Sequence, residues 1–200
     1  MFASLDAAAA KKTTDNLFTE KRLLELYEEF WRADGYQDKK EREDYKKKGR
    51  ESLKKFWASY QTQMAPDVLF LEKKFAFKLG SDSVKGTIDR VDKLADGSLE
   101  IIDYKTGRSK TKLEFKDKRQ LILYQLFLEE FLQVKVSALS YYYLESGEKI
   151  SFSPTVKDIS KLREGIIKEI AAIKKREFTA TPSNMCSYCD FREICEFRQP

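Results

Sequence analysis

Residues 86–107 read GTIDRVDKLADGSLEIIDYKTG, and the fold turns on how this stretch is read. Residues 83–94 alternate apolar and polar side chains as a strand does, and 99–104 (LEIIDY) form a short, strongly apolar strand. Between them, Ala95-Asp96-Gly97-Ser98 has the composition of a tight turn. The turn folds the strand carrying Asp89 back on the strand carrying Asp103. Asp103 and Lys105 are two residues apart, so on a strand they leave the same face, with Ile101 beside them and Ile102 and Tyr104 opposite. A carboxylate and an ammonium next to an apolar core cost desolvation unless something recruits them. Asp89 and Asp103 brought together repel unless a cation lies between them. Oxygen donors with no soft ligand nearby favour a hard ion such as Mg²⁺. An Asp-x-Lys pair by itself is more often a plain surface ion pair; the flanking pattern is what argues otherwise.

Working outward, residues 68–79 (VLFLEKKFAFKL) are a further alternating strand, and Gly86 marks a bulge or a close backbone approach. Residues 113–133 have helical spacing, 136–145 and 149–153 form a hairpin about Ser146-Gly147, and 155–176 form a last long helix. Upstream, residues 17–33 place Leu17, Leu23, Leu24, Leu26, Tyr27, Phe30 and Trp31 at helical spacing until Asp34-Gly35 breaks the pattern. A very polar helix then covers 38–62, with Tyr45, Leu53, Phe56, Trp57 and Tyr60 as its stripe. Helices, three strands, helix, strands and helix, in that order, predict an α/β or α+β fold with a central mixed sheet flanked by helices.

Composition narrows the chemistry. The chain has 200 residues and no histidine, which excludes His-based acid–base catalysis, His-ligated metals and Ser-His-Asp or Cys-His triads. Catalysis is left to carboxylates, lysine, tyrosine or a metal. The net charge of +5 spreads over 36% charged residues and says little about partners. Residues 105–119 (KTGRSKTKLEFKDKR) are more pointed: seven Lys/Arg stand against two acids, which suits phosphate contact. The mixed-sign segment 38–55 reads as a solvated helix face. No apolar run reaches the ~20 residues of a membrane span. The start, MFASLDAAAAKKTTDN, lacks the form of a secretory signal, so a cytoplasmic location is the expectation.

The motifs G-x-I-D-R-V-D at 86–92, I-I-D-Y-K-T-G at 101–107 and Q-x-x-x-Y at Gln120 and Tyr124 resemble the RecB-like branch of the PD-(D/E)xK nuclease superfamily. The resemblance extends over roughly residues 68 to 196. It implies a restriction-endonuclease-like core at 67–200, preceded by a leader and helical extension at 1–66. It implies that Asp89 and Asp103 hold Mg²⁺ or Mn²⁺, with the main-chain carbonyl of Tyr104 as a further ligand and Lys105 as the catalytic lysine. Gln120 and Tyr124 match the family's helix motif near the active site, and their i,i+4 spacing independently puts both on one helix face, placed to meet a phosphate or to brace the lysine. Arg90, and Glu72 on the preceding strand, are supporting residues; Glu72 reads equally as a salt-bridged strand residue. One departure matters. Family members often carry a histidine on an upstream helix shortly after a glycine; the matching stretch here is Gly49-Arg-Glu-Ser-Leu53, so Glu51 or water would take that ligand's place.

Cys186-x2-Cys189-x5-Cys195 resembles the C-terminal part of the iron–sulfur staple of AddB-type nucleases, which implies a structural 4Fe–4S cluster or zinc. A fourth cysteine is missing. Either that ligand is lost or lies outside this sequence, or another residue type completes the site, or the tail packs through Phe191, Ile194 and Phe197. Two functions follow from the resemblance. The first is a metal-dependent DNA nuclease acting on single strands or ends, as a module of a helicase–nuclease in DNA repair or recombination. The second is a catalytically idle relative that binds DNA or scaffolds a helicase complex. No RNA-recognition motif is visible.

Overall fold

Two helices precede the sheet. Helix α1 (Glu20–Phe30) starts where the Thr19 hydroxyl accepts the Arg22 N–H at 3.1 Å, and α2 (Lys39–Thr62) starts where Asp38 accepts the Glu41 N–H at 2.8 Å. The chain reverses between them at Gly35, whose φ of +90° suits glycine. The hairpin is closed by the Tyr27 hydroxyl, which donates to the Lys46 carbonyl at 3.0 Å, and by Glu28, paired with Lys46 and Arg50. A Cβ on Gly49 would collide with the Tyr27 ring, so this glycine is explained by helix packing. A computed structural model describes residues 19–62, 66–176 and 178–199; Leu17, the expected start of the first helix, lies outside them.

The alternating stretches form β1 (Asp67–Leu79) and β2 (Asp82–Lys93), paired antiparallel. Strand β3 (Leu99–Lys105) returns antiparallel to β2. Its turn is held by the Leu94 N–H on the Ser98 carbonyl at 2.8 Å, by Asp96 accepting the Ser98 N–H at 3.0 Å, and by Gly97 at φ +83°. Residues 99–103 of β3 are all buried, which is why this strand reads as an apolar run rather than an alternation.

Helix α3 (Phe115–Leu132) then carries the chain across, as a parallel neighbour requires, so that β4 (Val136–Tyr143) runs parallel to β3. Strand β5 (Glu148–Phe152) closes the sheet antiparallel, giving the order β1-β2-β3-β4-β5. This is the mixed, helix-flanked α/β sheet that the sequence periods predict. Leu121, Ile122 and Leu128 of α3 and Ile101, Val91 and Leu139 of the sheet are fully buried or nearly so. Each such side chain contributes about 1.5–3 kcal/mol of burial free energy. Phe75 of β1 stacks on Phe127 of α3 at 4.7 Å and meets Tyr124 edge-on at 5.5 Å. A Cβ at Gly86 would lie 2.6 Å from that Phe75 ring, so the glycine marks a close approach; the strand pairing runs through it without a bulge. On the face of β3 that carries Tyr104, Phe56 of α2 packs edge-on against Tyr104 and Tyr142 at 6.1 and 5.7 Å.

The described contacts divide the chain into two compact units, residues 1–155 and 156–200. The second contains α4 (Val156–Lys175), with Leu162 buried, and a 3-10 turn over Asn184–Tyr188. No helix among the described residues is long and apolar enough to cross a membrane.

Candidate active site

Strand β3 is shared unequally by its two neighbours. Its antiparallel ladder with β2 ends at the pair Arg90↔Ile102, whereas its parallel ladder with β4 continues through Asp103↔Tyr141, Tyr104↔Tyr142 and Lys105↔Tyr143. The sheet therefore forks just where Asp89 on β2 and Asp103 on β3 stand. Asp89 spans the fork, its Oδ2 accepting the Tyr104 N–H at 2.9 Å.

Asp103 is 2% exposed, and its Oδ2 lies 2.6 Å from the Lys105 ammonium. That contact is a close ion pair, and no other donor reaches this buried oxygen. Burial raises the Asp103 pKa above the ordinary carboxylate value; Lys105 opposes the shift and the negative charge of Asp89 adds to it. Lys105 is held on three sides, by Asp103, by the Gln120 Oε1 that accepts from it at 3.0 Å, and by the Tyr141 ring 5.0 Å beneath it. Gln120 in turn donates its amide to the Tyr124 hydroxyl at 2.8 Å. The helix pair thus has the geometry of a brace on the lysine. The Tyr124 hydroxyl stays protonated, its pKa raised by burial and by the charges of Asp103 and Asp89.

The structure therefore brings Asp89, Asp103, Lys105, Gln120 and Tyr124 together, with the Tyr104 backbone between them. Arg90 points away from this group. Its guanidinium grips Asp92 through two hydrogen bonds of 2.7 and 2.6 Å and donates to the Tyr104 hydroxyl at 3.0 Å. Glu72 is exposed on β1, and its flanking pairs Leu71↔Arg90 and Lys73↔Ile88 set it across from Asp89. Its φ of +47° lies in the left-handed region that a glutamate rarely adopts. Glu51 is exposed on α2.

Two residues that sequence reasoning passed over, Tyr141 and Tyr143, belong here. Tyr141 floors Lys105, and its hydroxyl donates to the main-chain carbonyl of Asp117 at the start of α3. Their only sequence signal was the aromatic run at 141–143, which reads equally as core. Beside Lys105, the residues Arg108, Lys110, Lys116, Tyr141 and Tyr143 line an open hollow of about 370 Å³. The basic stretch thus has a surface to act on.

Among the described residues no group of three or more His, Cys, Asp and Glu side chains converges as metal ligands would, the cysteines included. Phe191, Ile194 and Phe197 are 67%, 81% and 57% exposed. At the fork the donors are two carboxylates, one of them buried and paired with Lys105. Such a set fits a small hard cation that keeps much of its own water, as Mg²⁺ does. It does not fit an ion that needs thiolate or imidazole.

The fold resembles a solved structure, the crystal structure of SSO0001, with a TM-score of 0.42 and 18% identity over 77% of this chain and 77% of that one. No curated protein matches the sequence. A family model described as the PD-(D/E)XK nuclease superfamily matches residues 3–196, nearly the full length, and the chain belongs to that superfamily.

Proposed function

We propose that this chain is a divalent-metal-dependent DNA nuclease of the RecB-like type, hydrolysing phosphodiester bonds of single strands or ends. One observation carries the reading: the buried carboxylate of Asp103 sits between a second acid, Asp89, and a lysine that pairs with it and is braced by Gln120. Asp89 and Asp103, with the Tyr104 carbonyl, would hold Mg²⁺ or Mn²⁺. The chemistry supplied with that ion in place is Lewis-acid stabilisation of phosphoryl charge and a water of lowered pKa. The chain's own residues do the rest. Lys105 presents its ammonium to the scissile phosphate, where charge builds in the transition state. Gln120 and Tyr124 fix the direction of that ammonium, and Tyr141 keeps it from folding back onto the sheet. Arg108, Lys110 and Lys116 carry the adjoining phosphates.

Cleavage of labelled single- and double-stranded DNA with Mn²⁺ or Mg²⁺ tests this. Asp103→Ala and Lys105→Ala should each lose about a hundredfold or more in rate. Undiminished cutting by both variants would place the activity elsewhere. DNA binding without cutting, under every metal tried, would favour a second reading, an idle scaffold in a helicase complex. The observation behind that alternative is the chain's lack of histidine. A role beside a helicase motor in DNA repair is part of the proposal and rests on the motif resemblance alone. So does a cluster on Cys186, Cys189 and Cys195, whose signature would be a visible absorbance band after anaerobic purification.

A further inference from the structure

The fork that separates Asp89 from Asp103 needs something to fix its width. Beyond Arg90↔Ile102, β2 keeps company with β1, through Lys73↔Ile88, and β3 with β4. No ladder bond between β2 and β3 sets the spacing of the two acids, and their charges push the prongs apart. Two cross-links bridge the gap. One is the Tyr104 N–H on Asp89 Oδ2 at 2.9 Å, on the acids' own side. The other lies behind the sheet, the Arg90 Nη1 on the Tyr104 hydroxyl at 3.0 Å.

The rear cross-link is built as a strut. Arg90 is locked to its own strand by Asp92, at 2.7 Å from Nε and 2.6 Å from Nη2. The planar guanidinium then aims its remaining nitrogen in one direction. Both side chains of the lock are largely buried, at 12% and 8% exposure, so water competes little for it. Tyr104, the far end, is wedged against Phe56 and Tyr142. A lysine at position 90 could not hold Asp92 bidentately and reach Tyr104 at once.

We propose that Arg90, acting through the Tyr104 hydroxyl, is a positioning residue that sets the Asp89–Asp103 separation and thereby the affinity for the divalent cation. This rests on the metal-dependent nuclease reading above. Partners behind a metal ligand typically shift metal affinity ten- to a hundredfold. The strut acts on the ligands from the opposite face of the sheet.

The test is Mn²⁺ binding, read as loss of the free-ion electron paramagnetic resonance signal, for wild type, Tyr104→Phe and the paired variant Arg90→Met/Asp92→Leu. The paired variant removes both buried charges together, so neither is stranded, and circular dichroism establishes the folded fraction of each protein. Both variants should bind Mn²⁺ about tenfold or more weakly. Combining them should cost little beyond the larger single effect, because both cut one strut. Folded variants that bind Mn²⁺ as wild type does, even with a lowered Tm, would overturn the inference and leave the nuclease reading standing. Wild type that binds no Mn²⁺ at all would overturn both.

Discussion

Lys105 owes its position to side chains from three elements, and the hold from Gln120 is the most informative to cut. Gln120→Ala removes the acceptor at 3.0 Å while leaving the Asp103 pair in place. The expected result is a ten- to a hundredfold fall in kcat with a smaller change in KM, the pattern of a mispositioned catalytic group. Tyr124→Phe, which only frees the Gln120 amide, should fall short of that loss. Asp103 offers a pH signature in the metal-free protein. Its folded-state pKa is raised, chiefly by burial, so the folded chain holds this proton more tightly than the unfolded chain does. Stability then falls as pH climbs from the ordinary carboxylate range through the raised pKa, and the cost is complete above it. Asp103→Asn is therefore expected to raise the Tm in EDTA at neutral pH, with the gain disappearing below the ordinary carboxylate range. A Tm of the Asn variant below wild type at neutral pH would mean that the Lys105 pair outweighs the burial.

At the scale of strands and helices, Gly86 and Leu121 separate two kinds of packing. Gly86→Ala drives a methyl to 2.6 Å from the buried Phe75 ring, and thermal or urea unfolding should show a loss of about 1–3 kcal/mol. Leu121→Ala opens a cavity under α3, beside the brace, and should cost about 2–5 kcal/mol. The alternation of residues 68–94, the turn at Gly97 and the apolar run before Asp103 were all legible, because period and turn chemistry are local. The Asp89, Asp103 and Lys105 grouping was legible for the same reason, since one hairpin makes it. What was hidden depends on pairing across α3. Nothing in residues 136–143 announces that they lie parallel to β3, and that register alone sets Tyr141 beside Asp103. The end of the β2–β3 ladder and the left-handed backbone of Glu72 were hidden too, being properties of twist and register rather than of composition.

For the molecule as a whole, the proposed function gives the basic stretch after Lys105 the task of holding substrate. Arg108, Lys110 and Lys116 line one hollow with Lys105; Lys110 and Lys116 are paired with Asp117 and Glu114, so the charge of Arg108 above all should appear as salt-dependent DNA binding. Arg108→Ala is expected to weaken binding of a single-stranded oligonucleotide and to reduce the slope of log K against log salt by about 0.7. An unchanged slope would place the DNA elsewhere. The cysteine-bearing unit, residues 156–200, enters none of these expectations. Convergence of Asp89 and Asp103 on one divalent cation is checked by crystals grown with Mn²⁺ and measured at the manganese absorption edge. An anomalous peak in contact with both carboxylates is the expected result. A protein that cuts DNA with Mn²⁺ yet shows no peak between residues 89 and 103 would contradict it.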